Sequence, residues 1–239
     1  MAMAVTSYSV LSFATYTYNS VSFKFAVAYL LLVSASRLWK QNTKPIHLSK
    51  LMSAYNYAMA LANAICCGMF LMALFKCDKF FSKARDPRVE TASLLYWLLK
   101  IAELLDTVFM LLRHKTNQIS VLHVYHHTSM VLLTDYFYHL APWPAISFPV
   151  MVNAFVHVCL YTYYGMTSSS ISVPLQWKRR MTQLQIAQFA VGLAHATLGY
   201  LRHGFCGYSI LYAITMIVLF GNFYVQAYVR EKKPKKKAV

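Results

Sequence analysis

Apolar residues in this chain come in runs longer than a soluble core needs and long enough to cross a bilayer. A pass along the chain gives seven such stretches, at about 20–36, 53–75, 91–112, 119–140, 145–166, 182–201 and 208–228. The first is short and contains Lys24. The third carries Lys100, Glu103 and Asp106, so hydropathy alone would pass over it. Short polar connections separate the runs, with no soluble domain, repeat or linker beyond a lysine-rich end. The pattern predicts an all-α membrane protein of about seven transmembrane helices: one polytopic domain over 1–239, with a basic tail at 230–239.

Composition agrees. The chain is 58% hydrophobic and 13% charged, roughly half the charge fraction of a soluble domain. Its net charge of +16 would suit nucleic acid, but the basic residues sit between the apolar runs, so no nucleic-acid partner is expected. Fifteen Lys and Arg fall on one side: Arg37 to Lys50, Arg113 and Lys115, Lys178 to Arg180, and the tail. Six fall on the other, mostly between Lys76 and Arg88, where Asp78, Asp86 and Glu90 dilute them. The imbalance predicts a cytosolic C-terminus and an N-terminus on the opposite side. The ending Lys236-Lys237-Ala238-Val239 resembles a dilysine retrieval signal, which predicts residence in the endoplasmic reticulum membrane; a generic basic tail on an anionic leaflet is the other reading. No cleavable signal peptide is expected from the Ser/Tyr-rich start. The five cysteines have no metal-type spacing and read as reduced thiols.

Ionisable groups inside a membrane span are costly, which makes each a functional candidate. Four spans carry polar groups at helical spacing. Lys100, Glu103, Asp106 and Thr107 share one face of the third. His123, His126 and His127 form an H-x-x-H-H box in the fourth. Asn153, His157, Tyr161 and Tyr164 align in the fifth, and Thr182, Gln185 and Gln188 in the sixth. On the assigned topology the box lies on the order of 6–12 Å below the cytosolic boundary. Asp106, Thr107, Gln185 and Gln188 come out at about that depth, with His157 slightly deeper. This common level predicts a single buried site open to the cytosol, where the bland reading is polar glue between helices.

Paired histidines can ligate a metal, as in membrane desaturases and hydroxylases. Those enzymes resemble chains with three such boxes. Here only His157 joins the box at matching depth, so the chain is short of ligands for two irons, although one metal ion stays open. The other chemistry is acid–base or nucleophilic work by imidazole. No Ser or Cys nucleophile stands out, and no phosphate-binding or dinucleotide loop appears. A carrier or receptor built on seven helices is the non-enzymatic alternative.

Five motifs then carry a resemblance. Lys100-x-x-Glu103-x-x-Asp106-Thr107 with Leu112-Arg113, the box His123-Val-Tyr-His126-His127, Asn153-x-x-x-His157-x-x-x-Tyr161-x-Tyr163-Tyr164, Thr182-x-x-Gln185-x-x-Gln188-Phe189, and Asn222-Phe223-Tyr224 occur in this order. Together they resemble the signatures of the ELO family of fatty acid elongases, over about 100–228. Leu160 departs from the Met that the third signature often has.

The resemblance implies a 3-ketoacyl-CoA synthase that condenses acyl-CoA with malonyl-CoA, releasing CO2 and CoA, with no metal and no cofactor. It implies six helices in a barrel around a closed-ended acyl tunnel, with the first helix outside. His126 would take the acyl group; His157 and Asn153 would stabilise the oxyanion; His123 and His127 would support the box and move protons. Lys100, Glu103, Asp106, Thr107, Tyr161, Tyr164, Gln185 and Gln188 would shape the substrate site, and Arg113, Lys115, Lys178, Arg179 and Arg180 would meet CoA phosphates. Gln118, with the His-Val-Tyr-His-His form of the box, resembles the branch that elongates polyunsaturated chains. Implied partners are membrane lipid, the ketoacyl reductase, dehydratase and enoyl reductase of the cycle, and a second copy of the chain. Tyr200 and Leu201 are candidate plugs for the far end of the tunnel.

Overall fold

The structure, a computed structural model, describes residues 10–230. The dilysine sequence, and all of the basic tail beyond Arg230, lie outside the described residues. In chain order the helices are α1 (Val10–Asn19), α2 (Val21–Ser34), α3 (Ser36–Asn42), α4 (Ser49–Lys76), α5 (Pro87–Ala102), α6 (Leu105–Leu112), α7 (Val121–Leu140), α8 (Pro144–Ser168), α9 (Leu175–His203) and α10 (Tyr208–Tyr224). A 3₁₀ turn at Thr116–Gln118 precedes α7, and a π turn at Val225–Val229 extends α10.

Local chemistry sets several of the ends. Ser20 caps α2 by accepting from the Phe23 amide at 3.1 Å, and Ser120 caps α7 by accepting from the His123 amide at 3.2 Å. Asp86 caps α5, with Pro87 in its first turn, where a missing amide costs nothing. Gly204 closes α9 in the left-handed region at φ 65°, a position that favours glycine, and Phe205 N–H returns to the Gly199 carbonyl at 3.1 Å.

The expected spans are recovered as helices with two corrections. The first is a bent pair, α2 and α3, turned by 46° at Ala35. The third breaks after Ala102, where Leu104, Asp106 and Thr107 bond three residues back, to Ile101, Glu103 and Leu104. This step is tighter than an α-helix. It leaves Lys100, Glu103 and Thr107 buried and Asp106 only half-buried. Helices α4, α8 and α10 (with its π turn) are long and apolar enough to cross a membrane, and α2 with α3 makes a fourth if the bent pair is one span. The chain is a multi-pass membrane protein. Helices α7 and α9 have the length, at 20 and 29 residues, but not the apolarity.

The described residues form two compact units. In the first (α1–α3 and α5–α7), α7 packs on α5 and α2. Helix α2 turns one stripe inward, Ser22, Ala26 and Tyr29, while Phe25, Val27, Leu30, Leu31 and Leu32 are exposed, as a lipid-facing helix requires. Helix α5 buries Val89, Ala92, Ser93, Tyr96, Leu99 and Lys100. In the second unit (α4 and α8–α10), α4 and α8 form the main packed pair, and α9 joins both α8 and α10. Asn56, Met59, Asn63, Cys66, Phe70 and Ala73 repeat at steps of three and four on the inner face of α4.

Candidate active site

In the first unit the histidine box is anchored by hydroxyls. Because α7 places residues four apart on one face, the His123 and His127 rings lie 4.3 Å apart, and the His126 ring stands edge-on to His127 at 5.3 Å. His123 Nε2 is 2.7 Å from Thr107 Oγ1, which is 3.1 Å from the Tyr29 hydroxyl. The Tyr29 ring also lies 6.4 Å from His127. Lys100 donates to Glu103 at 2.7 Å, with both side chains essentially inaccessible, and the ammonium sits 4.8 Å from the Tyr96 ring. This pair is within electrostatic reach of His127. Arg113 ends α6 half-buried, while Gln118 is exposed in the 3₁₀ turn.

A second polar cluster occupies the far end of α7. Tyr16 donates to Asp135 Oδ2 at 3.0 Å, and His139 Nδ1 lies 3.4 Å from Oδ1. Trp97 stacks on Tyr138, meets His139 edge-on and donates to Ser22 Oγ at 2.8 Å. Asp135 is 2% exposed.

The second unit brings together the remaining motifs. Asn153 donates to Gln188 Oε1 at 3.2 Å, joining α8 to α9. His157 and Tyr161, one turn apart and both buried, have ring centres 6.0 Å apart, and Tyr161 meets Tyr55 and Tyr164 edge-on. Tyr164 is largely exposed and Gln185 half-buried. Tyr224 accepts from Arg179 Nε at 2.8 Å and from Gln183 at 3.1 Å, so the last motif holds a cation of α9. Gln176, Arg179, Arg180 and Gln183 line a recess there, and Lys178 is exposed beside it. His195 and His203 both stack on Phe81, and His195 reaches the Ala145 carbonyl at 2.8 Å. These two histidines serve packing. Tyr200 and Leu201 are exposed and take no part in the core of this unit.

A family model described as ELO: GNS1/SUR4 family matches residues 14–236. The chain belongs to the ELO family. It is 34% identical over 224 residues to human very long chain fatty acid elongase 4, covering 87% of this chain and 71% of the relative. Mouse very long chain fatty acid elongase 2 is 32% identical over 232 residues, 90% of this chain and 78% of its own length. The elongase 5 of Tachysurus fulvidraco is 30% identical over 226 residues, covering 89% and 77%.

Within this ELO chain, sequence reasoning gave no role to three residues that the structure ties into its polar clusters. Tyr29 reads as an ordinary aromatic in an apolar run. Tyr224 belongs to a motif without a stated task. Asp135, a buried carboxylate in a membrane helix, is the one with a signal that could have found it, because such groups are rare by default.

Proposed function

We propose that this chain is the condensing enzyme of fatty acid elongation, a 3-oxoacyl-CoA synthase that joins a long-chain, polyunsaturated acyl-CoA to malonyl-CoA. One observation carries the reading: a member of the elongase family holds a cluster of three histidines on one helix, His127 buried and His123 and His126 half-buried, with His123 tied to Thr107 at 2.7 Å and His127 against it. The two half-reactions follow from imidazole chemistry. A His126 ring nitrogen attacks the thioester carbonyl; the C–S bond breaks and CoA leaves as the thiol once protonated. Malonyl-CoA then loses CO2, and its enolate carbon attacks the acyl-imidazole carbonyl. A C–C bond forms, the C–N bond to His126 breaks, and 3-ketoacyl-CoA is released.

Hydrogen-bond donors in a low-dielectric site favour the developing oxyanions, the role given to His157 and Asn153. His127 moves protons beside His126. Arg113, Lys115, Lys178, Arg179 and Arg180 supply charge for CoA phosphates. The seven-span barrel around an acyl tunnel, the endoplasmic reticulum location, the cytosolic C-terminus and the reductase and dehydratase partners belong to the same proposal, supported by family membership and by the charge pattern. Preference for polyunsaturated chains rests on Gln118 and the form of the box. The metal-dependent desaturase reading is disfavoured because the matching family and the relatives are elongases.

Purified protein given acyl-CoA and malonyl-CoA, without metal or NADPH, should form 3-ketoacyl-CoA and CO2 in equal amounts. Acyl-CoA alone should release CoA and leave one acyl mass on the peptide containing His126. His126→Ala should remove that adduct and lower turnover by at least about a thousandfold. An adduct on a cysteine, or turnover that needs iron, would overturn the reading.

A further inference from the structure

We propose that Tyr29 is a positioning residue of the histidine box: acting through Thr107, its phenol holds His123 as the Nδ1–H tautomer, with Nε2 committed as a hydrogen-bond acceptor. The inference rests on the proposed function for its kinetic arm only.

Tyr29 and Thr107 are 2% and 0% exposed, so neither hydroxyl can give its proton to water. The three polar atoms form a line: Tyr29 hydroxyl to Thr107 Oγ1 at 3.1 Å, then Thr107 Oγ1 to His123 Nε2 at 2.7 Å. Two hydroxyl protons must be placed along it. If Tyr29 donates to Thr107 and Thr107 donates to Nε2, both are used, and the His123 lone pair receives the second. If instead Nε2 carries hydrogen and donates to Thr107, one proton is stranded. Either Thr107 donates back and the phenol proton has no acceptor, or the phenol donates and the threonine proton has none. A buried hydroxyl without an acceptor loses its hydration with nothing in return. Only the first arrangement gives both hydroxyl protons an acceptor.

The consequence is chemical. With Nε2 closed, His123 cannot take a proton there, and the ring offers Nδ1–H as a donor beside His127 and His126. A helix whose only sequence mark is an apolar run thereby sets the tautomer of a residue in the box. The inward stripe of α2 explains how: Ser22 is held by Trp97, and Tyr29, two turns on, is carried to Thr107.

Ring-nitrogen NMR on the full-length protein, with ¹⁵N-histidine and the His123 signal identified by its loss in His123→Gln, tests this directly. The wild type should show protonated Nδ1 and bare Nε2 at His123. Tyr29→Phe keeps the ring and its packing; it should convert this signal to a mixture of tautomers and lower kcat about tenfold, the scale of one lost hydrogen bond, with KM changed by less than about twofold. Thr107→Val should do the same and add nothing in combination with Tyr29→Phe, whereas Thr107→Ser should restore the wild-type signal. A wild-type His123 protonated at Nε2, or a Tyr29→Phe spectrum identical to wild type, overturns the relay. If the wild type makes no 3-ketoacyl-CoA, the functional reading fails separately and the wild-type spectrum still decides the relay.

Discussion

At one end of α7, His123 and His127 face Thr107 and Tyr29; two to three turns on, Asp135 and His139 face Tyr16 and Trp97. The clusters use similar side chains on one helix, and differ in what is already committed. Both Asp135 oxygens have partners, one from α1 and one from its own helix. At the box end His123 spends one nitrogen on Thr107, and no carboxylate closes the other. The charge there is kept one step back, in the Lys100–Glu103 pair. One membrane helix thus carries two polar clusters side by side, which differ in where the fold keeps their charge.

The largest effect is expected at the ion pair behind the box. Glu103→Gln leaves the Lys100 ammonium buried without its carboxylate, a situation that costs about 3–5 kcal/mol. The variant should unfold at markedly lower temperature in detergent and lose turnover with it. Lys100→Met with Glu103→Leu removes both charges, and should recover most of the stability without recovering full activity. Equal stability in Glu103→Gln and wild type would show that the pair is not held as described.

At the other end the expected effect is smaller and confined to stability. Asp135→Leu deletes the acceptor for Tyr16 and the partner of His139, for a loss of about 1.5–3 kcal/mol. Tyr16→Phe removes one arm of the clamp and should cost about 1 kcal/mol. Turnover per folded molecule should stay within about twofold of wild type in both, since neither residue touches the box. A tenfold fall in kcat with an unchanged unfolding temperature would instead make the Asp135 cluster part of the reaction.

How legible each cluster is from sequence follows from how its partners are spaced. The box and its neighbours recur at steps of three and four, and their order along the chain is distinctive, so α7 and α9 are marked by motif where their apolarity falls short of a span. Asp135 stands alone among apolar and aromatic residues, and its partner Tyr16 is 119 positions away. No local pattern announces such a contact. The same holds for Tyr29 and Thr107, which are 78 apart. The break after Ala102 is hidden for a different reason: three-residue and four-residue hydrogen bonding both keep Lys100 and Glu103 on one side. Helix α1 is missed because its Ser/Tyr-rich sequence has no sustained apolar run, yet Tyr16 within it reaches Asp135. Tyr200 illustrates the reverse error, since a large residue near a span end gives no indication of which side of the helix it occupies.

The smallest effect concerns the start of α5, which lies beside the Asp135 end. Asp86 N–H meets the Pro142 carbonyl at 3.1 Å, just beyond α7. Asp86 accepts from the Arg88 amide at 2.8 Å and from its guanidinium at 2.7 and 3.0 Å. The Arg88 hydrogen bonds hold this carboxyl below its ordinary range, and Arg85 does the same for Glu90. A carboxyl whose pKa is lower folded than unfolded stabilises the fold above the unfolded value, near 4, and loses that contribution as pH falls through the folded value. Stability from this corner should thus be flat between pH 5 and 8 and decline only below about pH 4. Its size is limited by solvent screening at an exposed site, to about 1 kcal/mol or less for the cap. Asp86→Asn keeps a capping oxygen and removes the titration. Amide exchange at Arg88 and Val89 should be slower in wild type than in Asp86→Asn near pH 6, with the difference shrinking as pH falls below 4. A difference that grows on acidification would mean that the neutral form of Asp86 makes the cap, and that Arg88 contributes nothing to it.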